Sequence, residues 1–234
     1  MNYFKLLTLS IFYLVTACST EAQDDLLEAK VVSEGNYESN FGIYESYSFE
    51  ELKDSLMKLP GLSEKTNYLR EKEFHVFEGK LKLSEYATIG LVDAANRHFV
   101  DSMLQLESIK NLFPANLKFM WGQEEIAGTY GLYAIKILND EESISSKHLQ
   151  LVREEFMSEY GDWIIQLTFN EQGAELIKNL TKNNLKNYLY IIVNERIIST
   201  PLVQGEISDG KVQISGSFTE ESAKDLAAII RGKN

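Results

Sequence analysis

The run from Trp163 to Gly232 constrains the fold most, because strand and helix periods alternate along it with turn residues at each switch. Trp163 to Phe169 reads as a strand. Asn170 is a natural N-cap, Glu171 suits a first turn, and the helix that follows would bury Ala174, Ile177 and Leu180 or Thr181. Tyr188 to Val193 and Ile197 to Thr200 read as strands joined at Asn194-Glu195 with hairpin spacing, and Pro201 ends the second. A loop through Gly205, Asp209 and Gly210 leads to a strand at Val212 to Ser215. Thr219 caps a last helix whose first turn holds Glu220 and Glu221. Ala223, Leu226, Ala227 and Ile230 form its apolar face, and Gly232 is its C-cap. Strand, helix, hairpin, strand, helix predicts an α+β fold, a mostly antiparallel sheet with helices packed on one face.

A smaller α+β region precedes it. Phe41 to Tyr47 alternates as a strand, and Tyr37, Phe41, Tyr44, Tyr47 and Phe49 form an aromatic cluster read mainly as core, with a surface for extended polypeptide as the alternative. Ser48 and Glu51 make a capping box for a helix with Phe49, Leu52, Leu56 and Leu59 on one face, stopped by Pro60-Gly61. Glu73 to Leu83 reads as strand, turn, strand, with His75 a strand residue rather than a ligand. Phe99 to Leu112 is a helix broken in its middle, Asn116 to Trp121 and Leu132 to Leu138 are strands, and His148 to Tyr160 reads as a helix with Leu149, Val152 and Phe156 on one face.

The N-terminus reads as an address. After Lys5, the apolar run Leu6 to Ala17 is about a dozen residues, short of the roughly 20 that span a bilayer but suited to a signal peptide. Leu14-Val15-Thr16-Ala17-Cys18 resembles the bacterial lipobox, so Cys18, the chain's single cysteine, is the expected lipid attachment site. Several acyl chains, at about 0.8 kcal/mol per buried CH₂, would hold the protein to a membrane without spanning it. The expected organisation is a lipoprotein signal peptide at 1–17, a tether at 18–30, an N-terminal α+β region at 31–122 and a second unit at 123–234. The expected location is the bacterial cell envelope, on the periplasmic or surface side of a membrane.

A formal net charge of -12 argues against nucleic acid as a partner. One cysteine makes no internal disulfide or cysteine metal cluster, and His75, His98 and His148 lack metal-ligand spacing. There is no GxSxG elbow and no phosphate loop, and Ser208-Asp209-Gly210-Lys211 lacks the glycine spacing and reads as a turn. Asn179-Leu180-Thr181 matches a glycosylation sequon but lies inside an expected helix. The reading is non-enzymatic, with no catalytic, cofactor or metal residue.

Several runs resemble the head subdomain of the first periplasmic domain of SecD and SecDF, accessory proteins of the Sec export machinery. They are LTFNEQGA (Leu167 to Ala174), Leu180-Thr181 with Asn183, IIVNERIISTP (Ile191 to Pro201), ISDGKVQISGSFT (Ile207 to Thr219) and AKDLAAIIRG (Ala223 to Gly232). Upstream, Phe113 to Trp121 and Leu132 to Lys136 are similar to segments of the Bacteroidetes-type SecDF, and Phe41 to Tyr47 to the strand before them. Region 31–122 is then the partial SecDF base and 123–234 the head. Two departures stand out. Asn194-Glu195 replaces the usual Asp-Gly, placing Glu where positive φ costs about 1 kcal/mol relative to Gly. The sequence also ends at Asn234, just past the last head helix, so the family's return strands and proton-coupling transmembrane helices are not expected.

The resemblance implies a membrane-anchored module that binds translocating polypeptides or Sec components. The alternative is an envelope structural or interaction lipoprotein that keeps the fold without the export role.

Overall fold

The computed structural model describes residues 41–66, 72–84, 86–122, 128–139, 142–158 and 161–232. The readings placed on the leader, Cys18, the tether and Tyr37 lie outside these residues. In chain order the elements are β1 (Phe41–Glu45), α1 (Phe49–Leu56), β2 (Ser63–Thr66), β3 (Lys72–Val76), β4 (Leu81–Leu83), β5 (Gly90–Asp93), α2 (Arg97–Leu104), α3 (Glu107–Lys110), β6 (Leu117–Trp121) and β7 (Thr129–Lys136). There follow β8 (Ile144–Ser145), β9 (Leu149–Met157), β10 (Asp162–Phe169), α4 (Glu171–Asn183), β11 (Leu189–Val193), β12 (Arg196–Ser199), β13 (Lys211–Phe218) and α5 (Glu220–Ile230). The fold is α+β, and the strand pairings among the described residues are antiparallel.

The strands form three sheets, ordered β12-β11-β1-β8, β13-β10-β9 and β2-β3-β4-β5-β7-β6. The four-stranded sheet is the middle layer. Phe41 and Ile43 of β1 and Leu189, Ile191 and Val193 of β11 face a core shared with β9, β10, α4 and α5. Tyr190 and Ile192, on the opposite face, meet Ile135 of β7, with Tyr44, Met120 and Tyr133 packed around them. Alternation along β11 therefore buries all five of its residues, each parity in a different core. Along β7, Leu132 and Ala134 face a third core with α1, α2 and α3, while Ile135 faces the middle layer.

The aromatic cluster read from sequence is divided among these cores. Phe41 enters the first, Tyr44 the interlayer contact, and Tyr47 and Phe49 the third. Strand β1 thus crosses between layers: past Glu45, Ser46 bridges Ile135, and the Tyr47 N–H donates to the Ala134 carbonyl at 2.9 Å. The six-stranded sheet takes β7 from the C-terminal side of residue 122, and the four-stranded sheet takes β1 from its N-terminal side.

Most local expectations hold. Ser48 and Glu51 form the capping box, and Asn170 and Thr219 cap α4 and α5. The broken helix is α2 and α3, with Gln105 and Leu106 between them. One expectation is overturned. The helix expected at His148 to Tyr160 is strand β9, hairpinned to β10 through a turn at Gly161, φ 70°. The apolar spacing misled for a definite reason. Val152 and Phe156, four apart, share a face in either period. The register shift opposite Thr168 and Phe169 skips Gln150, which brings Leu149 onto the buried side with Val152.

Candidate functional site

Two of the histidines lie within the fold's framework, and His98 is exposed on α2. His75 lies in β3, its Nε2 3.6 Å from Glu73. The 3-10 turn Ser146–His148 leads into β9. There the His148 Nδ1 accepts from the Ser145 N–H at 3.1 Å, and its carbonyl accepts from the Asn170 N–H at 2.8 Å. Burial, then the Lys147 charge, holds the His148 pKa below the ordinary histidine value. A Cβ on Gly173 would stand 2.7 Å from the His148 Cβ, so this glycine lets α4 approach the turn. Among the described residues no three His, Cys, Asp or Glu side chains gather as a metal site would require.

The runs that carry the resemblance converge on one core by architectural contacts. The Thr181 hydroxyl accepts from the Ile207 N–H at 2.9 Å, and the Gly210 carbonyl accepts from the Phe169 N–H at 2.9 Å. Gly210, at φ 66°, would press any Cβ to 2.7 Å from that of Ala174. The two upstream runs pair with each other as β6 and β7, Trp121 opposite Leu132 and Leu117 opposite Lys136. These residues shape the domain.

The surface feature with chemical character lies at one end of the β13-β10-β9 sheet. Phe218, Trp163 and Phe156 stand opposite one another across the three strands, with the Phe156 and Trp163 rings 5.5 Å apart. Trp163 and Phe218 pack against the core, whereas Phe156 is half exposed at 50%. Just after Phe218 the chain enters α5, whose first turns line a shallow hollow of about 340 Å³ with Glu220, Glu221, Lys224 and Asp225.

Strand β9 is an edge. Arg231, after α5, donates from Nη1 to the Val152 carbonyl at 2.8 Å and reaches Glu154 at 3.3 Å. The opposite face of the sheet is polar, with the Arg153 guanidinium on Gln166 at 3.0 Å and on Glu155 at 3.2 Å. The aromatic row is not legible in the sequence, where the spacing around Phe156 reads as a helix. Trp163 beginning one strand and Phe218 ending another were its available signal.

Residues 129–233 match the family model of the SecDF P1 head subdomain. The chain is 34% identical over 95 residues to the protein translocase subunit SecD of Syntrophobacter fumaroxidans, covering 41% of this chain and 18% of that protein. It is 27% identical over 180 residues to SecD of Rickettsia prowazekii, covering 76% of this chain and 30% of that protein. The chain thus spans less than a third of either relative. A solved SecDF, described as a membrane component that enhances protein export, superposes with a TM-score of 0.39 at 14% identity, over 83% of this chain and 94% of that one. This chain carries a SecD/SecDF head-like domain.

Proposed function

We propose that this chain is a SecD-like periplasmic module, anchored to a membrane of the bacterial envelope by lipid on Cys18, that binds polypeptide or protein in connection with Sec export and performs no catalysis. The observation that carries this reading is the SecDF P1 head match over residues 129–233, supported by relatives that are SecD translocase subunits. Within it, residues 1–17 are the signal peptide, 18–30 the tether, 31–122 a partial base of the Bacteroidetes-type SecDF kind and 123–234 the head. No helix among the described residues is long and apolar enough to cross a membrane.

Two measurements test this. Metabolic labelling with a fatty acid should mark the unaltered chain and leave the Cys18→Ser variant unlabelled and released from membranes. Photocrosslinking in cells from the head surface should capture Sec components or secreted chains in transit. An active crosslinker that captures neither, together with normal secretion on deletion and a weakened envelope, would replace the export role with that of an envelope structural lipoprotein.

A further inference from the structure

The free edge of β9, beside the Phe156–Trp163 shelf, has the makings of a strand-docking site. The Val152 carbonyl is held by Arg231 and so points away from β10. In an antiparallel strand every second residue turns its N–H and C=O to the same side, so those of Glu154 and Phe156 also face outward. β9 is the last strand of its sheet, and among the described residues no strand covers that edge. Arg231 occupies the edge at Val152 and limits the open part to the end nearest the aromatic row.

Side-chain chemistry at this end specifies an occupant. Phe156 offers a half-exposed ring tilted at 53° to Trp163, a shelf for an apolar side chain. The surrounding charge is acidic. Arg153, Lys224 and Arg231 are each paired with a carboxylate, Glu155, Glu220 and Glu154 respectively. Asp162, Glu221 and Asp225 have no ion-pair partner among the described residues. Glu221 and Asp225 line the hollow on the exposed face of α5, opposite Ala223, Ala227 and Ile230, which pack on the sheet. A peptide added to the edge would present alternate side chains to the core face of the sheet, one of them against Phe156.

We infer that β9 binds an extended polypeptide segment by strand addition at Glu154 to Phe156, and that it selects segments with apolar side chains, basic companions being preferred to acidic ones because the chain carries a net charge of -12. The inference rests on the polypeptide-binding reading above and assigns it a place and a preference. Unfolded segments of this composition expose the backbone groups that pair with such an edge. A second copy of this chain would bring like charge to the same edge and is disfavoured by a net charge of -12.

The test uses the full chain in detergent micelles and short fluorescent peptides of alternating Leu and Lys, of alternating Leu and Glu, and of the Leu–Lys pattern with alternate backbone amides methylated. The Leu–Lys peptide should bind. The acidic and the methylated peptides should each bind about tenfold weaker or worse. Phe156→Ser should weaken the Leu–Lys peptide about tenfold. Binding of the Leu–Lys peptide should weaken as salt is raised.

If methylation and Phe156→Ser leave binding of the Leu–Lys peptide unchanged, strand addition at β9 is wrong, while polypeptide binding stands. If none of the peptides binds, the polypeptide-binding reading falls with it. Concentration-dependent self-association abolished by Phe156→Ser would also overturn the inference, by making the occupant a second copy. Because methylation is tested on the unaltered protein, a folding defect in Phe156→Ser leaves the test intact.

Discussion

The Tyr190 hydroxyl donates to the Ala87 carbonyl at 2.7 Å, joining β11 to the loop before β5. Tyr190 is fully buried and its ring meets Tyr133 edge-on at 5.4 Å, so one side chain ties the middle layer to the six-stranded sheet by both packing and hydrogen bonding. Tyr190→Phe keeps the ring and leaves the carbonyl short of its donor. Chemical denaturation should report a loss of about 1–3 kcal/mol. Burial also raises the Tyr190 pKa, so the stability it contributes is full below the ordinary tyrosine value near 10 and is lost as pH rises above it. The unaltered protein should weaken at alkaline pH more than Tyr190→Phe does.

The depressed pKa of His148 acts in the opposite pH direction. The folded state favours the neutral imidazole, whose Nδ1 accepts from Ser145 and whose Nε2 is buried. Its contribution is present above the ordinary histidine value near 6.5 and is lost as pH falls through the lower folded value. The melting temperature should fall on acidification below about pH 6.5. His148→Asn, which retains a side-chain acceptor toward Ser145, should reduce that dependence.

The β11–β12 turn keeps a cost that glycine would remove. Asn194 and Glu195 both lie in the left-handed region, at φ 48° and 59°. The departure from Asp-Gly therefore leaves both turn residues left-handed and places the strain on Glu195. Glu195→Gly should raise unfolding free energy by about 0.5–1 kcal/mol, measured in denaturant.

Gly61 sits at φ 70°, where a Cβ would come within 2.6 Å of the Glu78 backbone nitrogen. The adjacent Pro60 carbonyl accepts from the Phe77 N–H at 2.7 Å, so the backbone has little room to retreat. Gly61→Ala should destabilise the protein by roughly 1–3 kcal/mol in a thermal or denaturant melt.

Caps, turns and single-face helices were legible because each is written in adjacent residues: Ser48 with Glu51, Asn170, Thr219, and the face Phe49, Leu52, Leu56 and Leu59. What distance in sequence hid was partnership. Nothing local tells that Phe41 lies opposite Val193, or that the aromatics from Phe41 to Phe49 serve three cores. Strand β9 was lost because a skipped residue at Gln150 reproduces helical spacing. The docking edge followed it out of view, since its aromatic row exists only once Phe156, Trp163 and Phe218 are brought side by side.

Strand β1 has a temporal consequence. Its five residues pair with Leu189 to Val193, so the middle layer cannot close until most of the chain is available. A polypeptide delivered N-terminus first would hold Phe41 and Ile43 unsatisfied through most of its emergence, and such long-range closure is intrinsically slow. Under the export proposed above, late closure of this layer would keep the travelling segment unfolded and passable until the final strands arrive.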